Sequence, residues 1–331
     1  MKKFASLFMS ASLCLGLAAC GNVATTPDPN PMDPIPMDPI PPNPMTNTLS
    51  GTLTASQTIS GDVSMTGDVT VPAGMTLTVA AGTVVTAKGN YSLSIKGTLA
   101  VQGTATSGVK FVGASAASWG GIAVSGTGTA NISYVTISDA MQAFGASPGT
   151  TYALDHVVIQ HGGSGLVLSS SGTVTKTIIM GQGPSQSMNS VVIQDASPMF
   201  TDLQVTNGVG NTSLDSIVVN GNSSPKFDHV EVTGFHCAFH FGGGNNITIS
   251  NSYVHDNSYA LMVFDVTPFT FSNSNILLNQ ISIGDCGASL ITVTGNYFGT
   301  AKAFDPNDTN CTKQKNTTPA TSLISGVGYR P

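Results

Sequence analysis

Few residues in this chain have side chains suited to chemistry. His229, His236, His240 and His255 lie close together, with Cys237 among them. Neutral imidazoles and a thiolate are ligands for zinc or copper. The spacing argues against such a centre. His236 and His240 are four apart, which aligns two side chains on a helix, whereas the sequence around them reads as strand and turn. Their phases along the chain also differ, so they would not stack in one column. Scattered turn histidines and no metal site are expected. His156 and His229 each follow Asp, in "LDHV" and "FDHV", as stacked outward residues would. Glycosidic hydrolysis needs two carboxylates at a set separation. The chain has one Glu (Glu231) and no adjacent Asp pair, and Asp155, Asp202 and Asp228 come together only if different coils assemble them. No catalytic residue and no cofactor are assigned.

The elements that must position these residues are strands. Only 8% of the 331 residues are charged, 40% are hydrophobic and the net charge is −6. Gly, Ser, Thr, Asn and Val are abundant, a composition poor in helix formers. The negative balance and the lack of a basic cluster exclude nucleic acid as a partner. The chain also repeats itself. "ISYVTIS" at 132 and "LDHVVIQ" at 154 are 22 apart, as are "ITISNSYV", "FTFSNSNI" and "ITVTGNYF" at 247, 269 and 291. "SPMFTDLQVTN" at 197 returns as "SPKFDHVEVTG" 27 residues later. Each unit holds a short run alternating with period 2, the mark of a strand with one buried face. One such unit cannot bury its own core, but stacked units roof one another. A propeller would need longer blades of about 40 residues, a leucine-rich solenoid its Leu and Asn spacing, and a sandwich would keep no register between units. The prediction is all-β, a right-handed parallel β-helix solenoid of about 10–11 coils with a 22-residue repeat, the hand following from short parallel crossovers. Asn251 over Asn273, and Asn257 over Asn279, read as structural Asn ladders in turns. Ser and Thr on outward strands lack the regularity expected of an ice-binding face, and Trp119 reads as a packed coil residue.

Three stretches, "GDVTVPAGMTLTVAAGTVV" (67–85), "LSIKGTLAVQGTATSGVKFVG" (93–113) and "SWGGIAVSG" (118–126), resemble the entry coils of right-handed β-helix proteins of the pectin-lyase-like superfamily. "GNYFG" (295–299) resembles their closing phrase, with Tyr297 and Phe298 in place of tryptophans. The resemblance covers residues 60–300 and implies fold more than function. Lyases of the superfamily abstract a proton with Arg or Lys while acidic residues hold calcium. Here the only Arg is Arg330, and Lys176 and Lys226 have no carboxylate cluster near them in sequence. The hydrolases carry paired Asp and a "GHG" phrase, which "HGG" at 161–163 is not.

The N-terminus reads as an address. Lys2-Lys3 followed by an apolar stretch from Phe4 to Gly16 is too short to span a bilayer and has the form of a secretory signal. "LAAC" at 17–20 resembles the lipobox of bacterial lipoproteins, which implies lipidation (palmitate) at Cys20 and, with Gly21-Asn22 following, the outer membrane. Residues 1–19 are thus assigned as signal peptide, 20–47 as lipidated Cys and Pro-rich tether, 48–299 as β-helix and 300–331 as C-terminal cap, with 47–60 as N-terminal cap. The tether repeats "PMDPI" and favours extended polyproline geometry. Of the three remaining cysteines, Cys286 is expected to pair with Cys311, both near the C-terminal end, and Cys237 to be buried. The expected protein is a non-catalytic cell-envelope lipoprotein, surface-exposed or periplasmic-facing. Its partners would be the membrane, through its lipid, and a glycan or surface protein. The alternative is a lyase or hydrolase of acidic polysaccharide.

Overall fold

Stacking in register requires that residues one repeat apart become hydrogen-bonded neighbours, and they do. A computed structural model describes residues 47–181, 188–207, 213–264, 268–287 and 291–331. The expected signal peptide, Cys20 and all of the tether except Asn47 lie outside them. The described strands join in one parallel β-solenoid of about eleven turns spaced by roughly 22 residues. Ile249 lies opposite Phe271, which lies opposite Val293. The 27-residue repeat keeps register too, with Phe200 opposite Phe227 and Val205 opposite Val232. Among the described residues stacking runs from Asn47–Thr52, which pairs with Asp62–Val71, to Lys315–Thr317 on Ile291–Thr294.

The core consists of columns. Val101, Ile132, Leu154, Val174, Phe200, Phe227, Ile249, Phe271 and Val293 succeed one another along one of them, and all are buried. Each such side chain contributes about 1.5–3 kcal/mol by leaving water. Polar columns join the apolar ones in the interior. Ser252 Oγ accepts from Val230 N–H, Ser274 Oγ from Ser252 N–H and Asn296 Oδ1 from Ser274 N–H, at 2.9–3.1 Å. Asn257 Nδ2 donates to Asn279 Oδ1 at 3.0 Å, and the same oxygen accepts Asn257 N–H. These groups satisfy turn amides that burial would otherwise leave unpaired.

The resembling phrases have local causes. In "SWGGI", Trp119 is buried and its Nε1 donates to Ser138 O at 2.8 Å. Gly121 stands at φ +92, where a Cβ would collide with the Gln142 carbonyl. In "GNYFG", Gly295 and Gly299 take positive φ, and Asn296 ends the serine column.

Candidate functional site

One corner of the coil is built from a run of left-handed residues. Tyr134, His156, Lys176, Asp202, His229, Asn251, Asn273, Gly295 and Thr318 all have φ between +45 and +65. They form a single column. The ladders on either side pair normally and skip the kink, as Ser133 opposite Asp155 is followed by Val135 opposite Val157. Asn, Asp and Gly tolerate this left-handed backbone, whereas Thr, Lys and Tyr take it at a cost. Asn251 and Asn273 stack in this column, and Asn251 Nδ2 donates to Asp228.

The Asp before the kink binds the His within it. His156 Nδ1 stands 2.9 Å from Asp155 and His229 Nδ1 2.9 Å from Asp228. Asp155 and Asp228 share an outward column, but Thr175 and Thr201 lie between them. Three interstrand steps of about 4.8 Å hold them apart. Asp228 also accepts from Asn251 Nδ2 at 2.7 Å and Ser250 Oγ at 3.0 Å. Partial burial pushes its carboxyl up, but the bonds from Asn251, His229 and Ser250 outweigh this and hold it below the ordinary value. Among the described residues no ion pair holds Lys176 or Lys226 to a carboxylate.

Residues 318–331 then run back over this corner as a strap. Arg330 grips the buried Asp202 with both arms, Nε to Oδ1 at 2.6 Å and a terminal nitrogen to Oδ2 at 3.2 Å. Glu231 accepts from Tyr329 N–H and, at 3.2 Å, from Gln204 Nε2. His255 lies under the same segment, its Nδ1 2.6 Å from Asp256 and its Nε2 3.7 Å from Glu231, a charge contact longer than a hydrogen bond. The His255 imidazole is the largest influence on Glu231 and lowers it against the opposing effect of burial. Burial lowers His255, and the two carboxylates outweigh it, so its value is raised.

A second cluster lies on the strands after this corner. Asp215 stands 3.1 Å from His236 Nδ1 and 2.7 Å from His240 Nδ1. The two histidines occupy different columns, as their phases predict, yet converge on a carboxylate one coil away. Burial raises Asp215, and the bonds from His240 and His236 overcome it and lower the value. The bond to Asp215 is the main cause that raises His240. Cys237 pairs in register with Asp215 and Tyr259 but is fully buried, and desolvation pushes its thiol well above the ordinary range. Cys286 and Cys311 form a disulfide beside Asp308, which accepts Cys286 N–H at 3.0 Å.

No family model, curated protein or solved structure matches this chain. The five histidines 156, 229, 236, 240 and 255 each face a carboxylate. Sequence spacing did not reveal Asp215 as the shared partner of two of them. The signal was present, because adding 22 to 215 gives Cys237, between His236 and His240. The grip of Arg330 on Asp202 spans 128 residues and leaves no periodic trace.

These pairs make stability depend on pH. His240 and His255 have raised folded values, so their contribution is complete below the unfolded value near 6.5 and fades as pH rises through the folded values. Asp215, Asp228 and Glu231 have lowered values, so theirs is complete above about 4 and fades as pH falls through the folded values. Urea midpoints will thus peak between roughly pH 4 and 6.5 and fall as pH rises through the folded histidine values. Asp215→Asn will flatten the alkaline limb. An unchanged limb in that variant would contradict the assignment.

Proposed function

We propose that this chain is a bacterial envelope lipoprotein, lipidated at Cys20, which displays a right-handed β-helix of the pectin-lyase-like type on a proline-rich tether. The rod binds a glycan or a partner protein and performs no catalysis. Its main support is the occupancy of the side-wall acids. Asp155, Asp202, Asp215, Asp228 and Glu231 each already hold a histidine, an arginine or a backbone amide. Each bond takes up part of a carboxylate that offers about four acceptor sites, and a calcium-assisted lyase needs open carboxylates beside a cation. Among the described residues Lys176 and Lys226 form no ion pair with a carboxylate, which disfavours the lyase reading. The "LAAC" run and the signal-like residues before it support the address.

Two measurements on the full-length chain test these parts separately. Labelling cells with a clickable palmitate should tag the wild-type chain in the membrane fraction, and Cys20→Ala should reduce that fraction at least about tenfold. Equal membrane recovery of the variant would remove the lipid anchor. A glycan array run beside an assay for unsaturated uronate products should give binding without product. Product formation would overturn the non-catalytic role and favour the lyase.

A further inference from the structure

The strap is held in steps matched to the rod. Ala320 N–H donates to Asn296 O at 3.0 Å, Ile324 N–H to Asn275 Oδ1 at 3.1 Å and Gly328 N–H to Asn251 O at 2.8 Å. Asn275 Nδ2 returns a bond to Ile324 O at 2.9 Å, so this amide reads both polar groups of one strap residue. The contacts fall every fourth residue on three successive coils, because Asn275 pairs with both Tyr253 and Tyr297. Tyr329 and Arg330 then engage Glu231 and Asp202 on the next two coils. The rod thus carries a groove complementary to one peptide, and the only arginine of the chain supplies its terminal anchor.

That peptide is attached by polar contacts more than by core burial. Leu323 is 64% exposed, and Thr321, Ser322, Ser325 and Gly326 face solvent. Its hinge is unfavourable in the closed form. Thr318 is β-branched, precedes Pro319 and is held at φ +47. Both its branching and the following proline prefer extended backbone. Opening the hinge frees Thr318 while every other strap contact can form again on an identical groove.

We propose that two copies of this chain exchange straps, residues 320–330 of each lying in the groove of the other. The two rods meet at their strap-bearing ends in a two-fold arrangement. The contacts of residues 320–330 are reproduced, whereas opening gives up the bonds of Thr318 to Gly295 N–H and Thr294 Oγ1, both at 3.0 Å. The balance therefore lies between relief at Thr318, these two bonds and the entropy of association, and the exchanged dimer gains with concentration.

Charge reversal tests this. Asp202→Arg places two guanidinium groups together in the closed chain, and Arg330→Asp places two carboxylates together. When the two full-length variants are mixed, both pairs become complementary only if straps cross. With different tags and about 100 μM of each, capture of one variant should recover at least about tenfold more of the other than same-variant mixtures do. Recovery no greater than in same-variant mixtures would overturn the exchange. The double variant D202R/R330D, complementary in the closed form, should melt with the wild type and reports that the reversed pair folds. If either single variant is unfolded by circular dichroism, wild-type chains with two tags serve instead. They should co-purify above a pair of chains truncated after Pro319, and equal recovery would refute the proposal.

Discussion

Phe227→Ala should cost the rod about 4 kcal/mol, the range found when a buried aromatic is truncated. Phe227 is 1% exposed. Its ring stacks on Phe200 at 4.9 Å between centroids and meets the edge of Phe239 at 5.3 Å. Phe239 in turn meets Phe241, and Phe241 meets Phe269. Aromatic contact therefore runs through successive coils, and a hole at Phe227 removes partners above, below and across. Backbone ladders fix the coil spacing, so the walls cannot collapse inward to fill it. The outward neighbour Thr201 offers the contrast, since Thr201→Ala should change stability by less than about 0.5 kcal/mol. Urea unfolding followed by circular dichroism compares the two. Equal effects would mean that Phe227 does not face the core.

Removing the Cys286–Cys311 bridge with alanine at both positions should cost about 3 kcal/mol from loop closure across 25 residues. The loss should be local. The bridge ties the turn Cys311–Lys313 to the end of the strand Ile281–Gly284, and Asp308 bonds the N–H groups of both Cys286 and Asn310. Hydrogen exchange should quicken in 281–317, while residues 62–138, many coils away, keep their protection because a stacked solenoid couples chiefly to neighbouring units. Exchange that quickens evenly along the chain would contradict this. Cys237→Ala, a small buried change without a bridge, should cost only about 1 kcal/mol.

The architecture was legible because in-register parallel stacking converts a shift in sequence directly into a contact in space. "ITIS" over "FTFS" is both an alignment and a hydrogen-bonded pair of strands. The same rule identifies the polar ladders, where Asn257 and Asn279 bond as their spacing suggests. It reaches only half of the kinked corner. Asn251 and Asn273 are residues that accept left-handed backbone, but Tyr134, Lys176 and Thr318 are not, and their conformation is imposed by the coils above and below. The strap was hidden for another reason. A segment that crosses coils instead of joining them has no repeat to betray it, so Arg330 reads in sequence as a stray terminal charge. The side wall lay between these extremes. Each Asp-His phrase was visible, whereas the convergence of His236 and His240 on Asp215 needed the coil offset and the strand phase together.

Distance along the molecule counts coils and not residues. Spin labels on one outward column measure it directly. Thr78, Thr173, Lys226 and Thr270 belong to the same register column, at four, six and eight steps from the first. With one label fixed at Thr78, pulsed dipolar distances to the other three should be about 19, 29 and 38 Å, in equal increments of about 4.8 Å per coil. Distances that fail to grow linearly with the number of coils, or a Thr270 label closer to Thr78 than the Lys226 label, would contradict the stacked solenoid.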